Sequence, residues 1–253
     1  MQIVHHPDSK CNKCGTPFIA REVPFMDKKT IMTPACNCYG QAWQEEQDSI
    51  RMKKIYKKCG IPKKYQDEDM TDWIKIPGTE ELTNMLRDYV KNLKSNLESG
   101  SGIFLSGMKG TGKTKCLCYV ANKYMSVLKA HVRYISMSSY ITEIEKMKKN
   151  KAVVSDYIKL LINIPILVID DVGESKTDEW NLRYIFLLLD GRNNRKCVTL
   201  TNTMQHIEKC NDFLGHHNVS RLLEMAGSNV VEISSTVDMR PDGNKKKYGL
   251  VKK

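Results

Sequence analysis

"GIFLSGMKGTGKT", residues 102–114, is the stretch whose reading decides the fold. An apolar run leads straight into eight positions, Gly107 to Thr114, that hold three glycines, two lysines and two threonines. The spacing G-x-x-x-x-G-K-T is that of a phosphate-binding loop joining a strand to a helix. Gly107, Gly110, Thr111 and Gly112 leave backbone N–H groups free to close around phosphate oxygens at a helix N-terminus, where the helix dipole favours negative charge. Lys113 then reaches the β- and γ-phosphates of a nucleotide, and the Thr114 hydroxyl takes a place on Mg²⁺.

Working outward, the chain from about residue 81 alternates helical patterns with short apolar runs, which predicts helices over 80–98, 112–129, 138–149 and 178–192. Strands are predicted over 103–106, 132–136, 166–170, 197–201 and 230–234. Five strands with helical crossovers make a three-layer α/β domain around a parallel sheet. The strand "ILVID" ends in Asp170 and Asp171: the first suits a ligand of hydrated Mg²⁺, the second a group that orients the attacking water. As a plain helix cap, the same Asp-Asp would need no catalysis. Asn202, ending "CVTLTN", falls at the same sheet edge, where its amide could position the lytic water. Arg221, in "HHNVSRLLE", opens a predicted helix and, by itself, is better explained as a surface arginine. Lys109 lies in the loop without an assigned role.

Upstream, residues 1–59 form a different region. Cys11 and Cys14 (C-x-x-C) and Cys36 and Cys38 (C-x-C) offer four thiolates for tetrahedral Zn²⁺, with His5 or His6 as substitutes, in a segment with few apolar groups. Free thiols or a redox pair are the alternative. An amphipathic helix is predicted over 41–59, a linker over 60–80, and the α/β domain over 81–253. The net charge of +11 is uneven, since six basic residues between Arg240 and Lys253 face a single acid, Asp242. This favours an anionic partner such as nucleic acid without supplying a duplex-reading element. No apolar run is long enough to span a membrane, so a cytoplasmic protein is expected.

The set "GMKGTGKT", "ILVIDDVGE", "YIFLLLDGRNNRKCVTLTNT" and "NVSRLLE" resembles the AAA+ ATPases of the DnaC/DnaI helicase-loader group, and "CGIPKKYQDEDM" is similar to the segment leading into their ATPase domain. The resemblance spans about residues 55–240. It implies ATP hydrolysis with Asn202 as sensor 1 and Arg221 as an arginine finger completing a neighbouring subunit's site, hence a self-oligomer. It also implies binding of single-stranded DNA and of a hexameric replicative helicase, the latter through the N-terminal module. Arg240 matches an arginine near the end of these proteins.

Two departures qualify the resemblance. Asp171 stands where many AAA+ proteins carry Glu, one methylene longer, which predicts slow turnover. The stretch after Asn202 is too short for a large helical lid. An IstB-like transposition helper and a nucleotide-gated adaptor with little hydrolysis remain as other readings; a small-molecule kinase has no use for Asn202 or Arg221.

Overall fold

The computed structural model describes residues 3–4, 14–15, 20–25, 28–32, 56, 58–66, 79–149, 151–173 and 178–233. The chain divides into two compact units, Met1–Lys57 and Lys58–Lys253. In the first, β1 (Ile3–Val4), β2 (Ala20–Phe25) and β3 (Lys28–Met32) form an antiparallel sheet in that order. The register runs from Arg21↔Met32 to Phe25↔Lys28, and among the described residues β1 meets β2 at Ala20 and Arg21. Cys11, Cys36, Cys38, His5 and His6 lie outside the described residues, as does Arg240. Cys14 is exposed at a turn beside Gly15, whose φ is +71°. Among the described residues no group of three or more His, Cys, Asp and Glu could hold a metal ion.

The second unit runs α1 (Glu80–Lys91), α2 (Leu93–Ser99), β4 (Ile103–Gly107), α3 (Lys113–Val127), β5 (Val132–Ser136), α4 (Met137–Met147), α5 (Lys151–Asn163), β6 (Ile166–Asp170), α6 (Glu179–Asn194), β7 (Val198–Asn202), α7 (Cys210–Ala226) and β8 (Val230–Ile233). The five strands form a parallel sheet of order β5-β6-β7-β4-β8. Strands β4, β6 and β7 are buried at every position, as expected of a parallel sheet covered on both faces. Helix α3 crosses one face with α1 against it, and Tyr89 of α1 meets Tyr124 of α3 edge to face at 6.2 Å. The other face carries an apolar cluster built by Phe104, Leu167 and Ile169 of the sheet with side chains of α4 to α7.

Three expectations are revised. The helix expected over 80–98 is two helices: Asn92 leaves helical geometry, and its Nδ2 donates to the Asp88 carbonyl, a side-chain bond that competes with the helical ladder. Helix α5 was not expected as an element, although Val154, Ile158 and Leu161 recur at helical spacing and are buried. Arg221 does not open a helix but lies well inside α7, after a break at Gly215 (φ +73°, ψ 154°).

Residues 58–66 belong to the second unit and pack against the rest of it. Cys59 and Ile61 are buried, Arg133 Nη1 donates to the Lys58 carbonyl at 2.7 Å, and Asn122 Nδ2 donates to the carbonyls of Tyr65 (2.8 Å) and Gln66 (3.1 Å). Only Tyr56, Lys58 and Cys59 of the helix expected over 41–59 are described, and they are helical.

Candidate active site

The phosphate loop leaves the sheet at Gly107 and enters α3 at Lys113. Gly107 has φ +133°, and a Cβ there would lie 2.6 Å from the Ile233 carbonyl oxygen of β8. The first glycine of the motif is thus required by the neighbouring strand as well as by any ligand. Gly112, at the N-cap of α3, is left-handed with φ +80°, which turns the loop into the helix. Thr111 is buried and its hydroxyl donates to the Met108 carbonyl at 2.9 Å, bracing the loop from inside.

Lys113 is almost entirely buried. Its Nζ donates to the carbonyls of Gly107 (2.7 Å) and Met108 (2.8 Å) and reaches the Thr111 hydroxyl at 3.4 Å. Burial pulls its pKa down, while the carboxylates of Asp171 and Asp170 push it back up. The ammonium is held by neutral carbonyls at the mouth of a cleft, bonds that a phosphate oxygen can replace.

That cleft has a volume of about 570 Å³ and is lined by Lys109, Gly110, Gly112, Lys113, Thr114 and Lys115 from the loop and α3, by Tyr134, Asp170, Asp171 and Met204 from the sheet edge, and by Pro62, Lys64 and Tyr65 from the 58–66 segment. Gly107 and Thr111 stand behind this lining rather than in it.

Asp170 is the hub. Its Oδ1 accepts from Thr114 Oγ1 at 2.8 Å and from Asn202 Nδ2 at 2.5 Å, and its Oδ2 accepts from the Tyr134 hydroxyl at 2.6 Å. Burial and the adjacent Asp170 hold the Tyr134 phenol far above its ordinary pKa, so it stays a donor. Asn202 is fully buried, and its Oδ1 accepts the backbone N–H of Asp171 at 2.9 Å. Both ends of its amide therefore face the aspartate pair, and the residue stands one layer behind the cleft rather than in it. Asp171 takes φ +56°, a left-handed turn in a residue other than glycine, and its carboxylate reaches the cleft. Asn202 restrains that turn from behind. Thr114 Oγ1 and Asp170 Oδ1 are hard oxygen donors side by side next to the loop, a set that fits Mg²⁺.

Arg221 is not at this cleft. Its Nε donates to Asp190 of α6 at 2.9 Å and its Nη1 to Glu224 at 2.6 Å, with a third of the side chain exposed. The structure thus gathers Lys113, Thr114, Asp170, Asp171 and Asn202, and keeps Arg221 on the α6–α7 face. Sequence reasoning missed Tyr134 and the 58–66 wall. A tyrosine two residues before the end of a short strand carries no signal until β5 is known to pair with β6, where Ser136 lies opposite Asp170.

The family model described as IstB-like ATP binding protein matches residues 82–233, well over half of the chain. The chain belongs to this IstB-like family. It is an AAA+ ATPase related to the DnaC, DnaI and IstB loader group, and that membership implies a capacity to bind and hydrolyse ATP. The replicative helicase loader DnaC of Escherichia coli K12 is 23% identical over 195 residues, 72% of this chain and 78% of that protein. The replicative helicase loader DnaI of Bacillus subtilis is 25% identical over 140 residues, 54% of this chain but only 42% of that protein. Among solved structures, the DnaC helicase loader superposes with a TM-score of 0.61 at 21% identity, covering 68% of this chain and all of that one. The initiator DnaA bound to AMPPCP and single-stranded DNA gives 0.58 at 20% identity, covering 75% and 56%. These likenesses show a shared fold. Among the described residues, no helix is long and apolar enough to cross a membrane.

Proposed function

We propose that this chain uses ATP binding and hydrolysis to deliver a hexameric replicative helicase onto single-stranded DNA. The observation that carries the ATPase half is the hydrogen-bonded set Thr114, Asp170 and Asn202 beside the buried Lys113 ammonium. On this reading the N–H groups from Gly110 to Thr114 and the Lys113 ammonium hold the phosphates. Thr114 and Asp170 would hold Mg²⁺, which when bound would supply charge neutralisation at the phosphates. Asp171 orients the attacking water, and Asn202 fixes both aspartates. Arg221 acts on a neighbouring subunit's nucleotide after leaving Asp190 and Glu224, a contribution worth ~10³ to 10⁵ in rate for such arginines.

The loader half is supported by the likeness to DnaC over most of both chains. The N-terminal unit would then contact the helicase, with zinc held by Cys11, Cys14, Cys36 and Cys38; the thiol spacing supports this metal. The match to an IstB-like model favours a second reading, a transposition helper built on the same ATPase core.

Co-purification separates the two. The full chain is expected to retain a hexameric replicative helicase, to lose it when Met1–Lys57 is removed, and to hydrolyse ATP faster with single-stranded DNA. ATPase stimulation by DNA without any helicase complex would move the assignment to the transposition helper. A chain that binds no ATP would end both.

A further inference from the structure

We infer that Tyr134 is a positioning residue for the metal-holding carboxylate of this site. The inference rests on the ATPase reading above and adds a residue that neither the phosphate-loop motif nor the aspartate pair contains.

A carboxylate at a strand end can rotate about its last torsion, and a metal ligand must not. Asp170 Oδ1 already serves two donors, Thr114 and Asn202, and both lie on the loop side and the β7 side of the strand. A donor on the other oxygen resists the same rotation from the far side of the carboxylate. Tyr134 does this from the opposite flank, since β5 pairs with β6 on the side away from β7. The three donors thus come from three different elements and fix the plane of the carboxylate. Partners of this kind behind a metal ligand typically contribute 10- to 100-fold in metal affinity.

The phenol is itself held in place. Its ring lines the cleft beside Asp170 and Asp171. Its main chain runs on the outer edge of the sheet, where the 58–66 segment covers it. Gly60, at φ +81°, approaches so closely that a Cβ would lie 2.8 Å from the Tyr134 carbonyl oxygen. Arg133 ties the same segment through the Lys58 carbonyl. A tyrosine needed only to fill space would not need its hydroxyl 2.6 Å from a carboxylate oxygen.

The test is Tyr134→Phe in the full chain, which keeps the ring and removes the hydroxyl. Binding of a fluorescent methylanthraniloyl-ATP is measured first in EDTA and then across a MgCl₂ titration. The expected result is a metal-free affinity within twofold of wild type and a Mg²⁺ midpoint raised about tenfold. An unchanged midpoint overturns the inference, as does an equal loss of metal-free and Mg²⁺-dependent binding, which would mark Tyr134 as structural. A wild-type chain whose nucleotide binding ignores Mg²⁺ would instead defeat the ATPase reading, and the inference with it.

Discussion

Two buried cations in this chain have opposite purposes. Arg192 is completely buried, and its guanidinium donates to the carbonyls of Leu161 (2.6 Å), Ile162 (3.4 Å), Ile164 (2.8 Å) and Val198 (2.6 Å) and to the Thr199 hydroxyl (2.9 Å). Burial pushes its pKa down to about 10. Its fork caps the C-terminal end of α5, where helical carbonyls lack partners and the dipole is negative, and ties that end to β7. Replacing it strands several buried acceptors, so Arg192→Met is expected to cost about 3 kcal/mol or more in urea unfolding, and Arg192→Lys to recover little because a point charge cannot span the fork. Lys113 is also buried, but its partners are two carbonyls of a loop suited to receive phosphate. Lys113→Met replaces a desolvated charge with a side chain of similar volume. Thermal unfolding without nucleotide should stay near wild type or rise slightly, while nucleotide affinity falls by more than about tenfold.

At the scale of elements, the stretch Asp190-Gly191-Arg192 shows why "YIFLLLDGRNNRKC" is so distinctive. Asp190 ties α6 to α7 through Arg221; Gly191 lets α5 approach, since a Cβ there would lie 2.4 Å from Ile162 Cδ1; and Arg192 caps α5. Three consecutive residues bind α6 to its neighbours, so the motif is structural more than chemical. Gly107 has the same character on the sheet. Gly107→Ala meets the backbone of β8 at a strained φ, and is expected to cost about 2 kcal/mol or more, to speed hydrogen exchange over residues 230–233, and to weaken nucleotide binding. The five parallel strands were legible because each reads as a short, largely apolar run bounded by turns, the inner three being buried on both faces. So were Lys113, Thr114, Asp170 and Asp171, which are close in sequence to a recognisable loop or strand end. Asn202 was legible as a position but not in its orientation, which depends on the turn at Asp171. Tyr134 and the 58–66 segment were not legible, because strand order and long-range packing are not encoded in local patterns.

For the whole molecule, the proposed function makes activity a property of an assembly, because Arg221 lies away from its own cleft, paired with Asp190 and Glu224. Arg221→Ala is expected to keep nucleotide affinity and lose turnover by at least about 10²-fold. Mixing it with Lys113→Met should restore part of the lost rate, because one protein supplies the arginine and the other the phosphate loop; a mixture no faster than its components would place Arg221 in a purely structural pair with Asp190. The sheet order has one more consequence, in time rather than in space. Strand β4 carries the phosphate loop, yet its partners are β7 and β8: Ile103 lies opposite Leu200, and Phe104 opposite Val230. A growing chain therefore displays its complete nucleotide motif long before either flanking strand has been made. Until residue 233 is synthesised the strand that carries the motif lacks one of its two flanking partners, so the loop's anchorage in the sheet is completed only when nearly all of this unit exists.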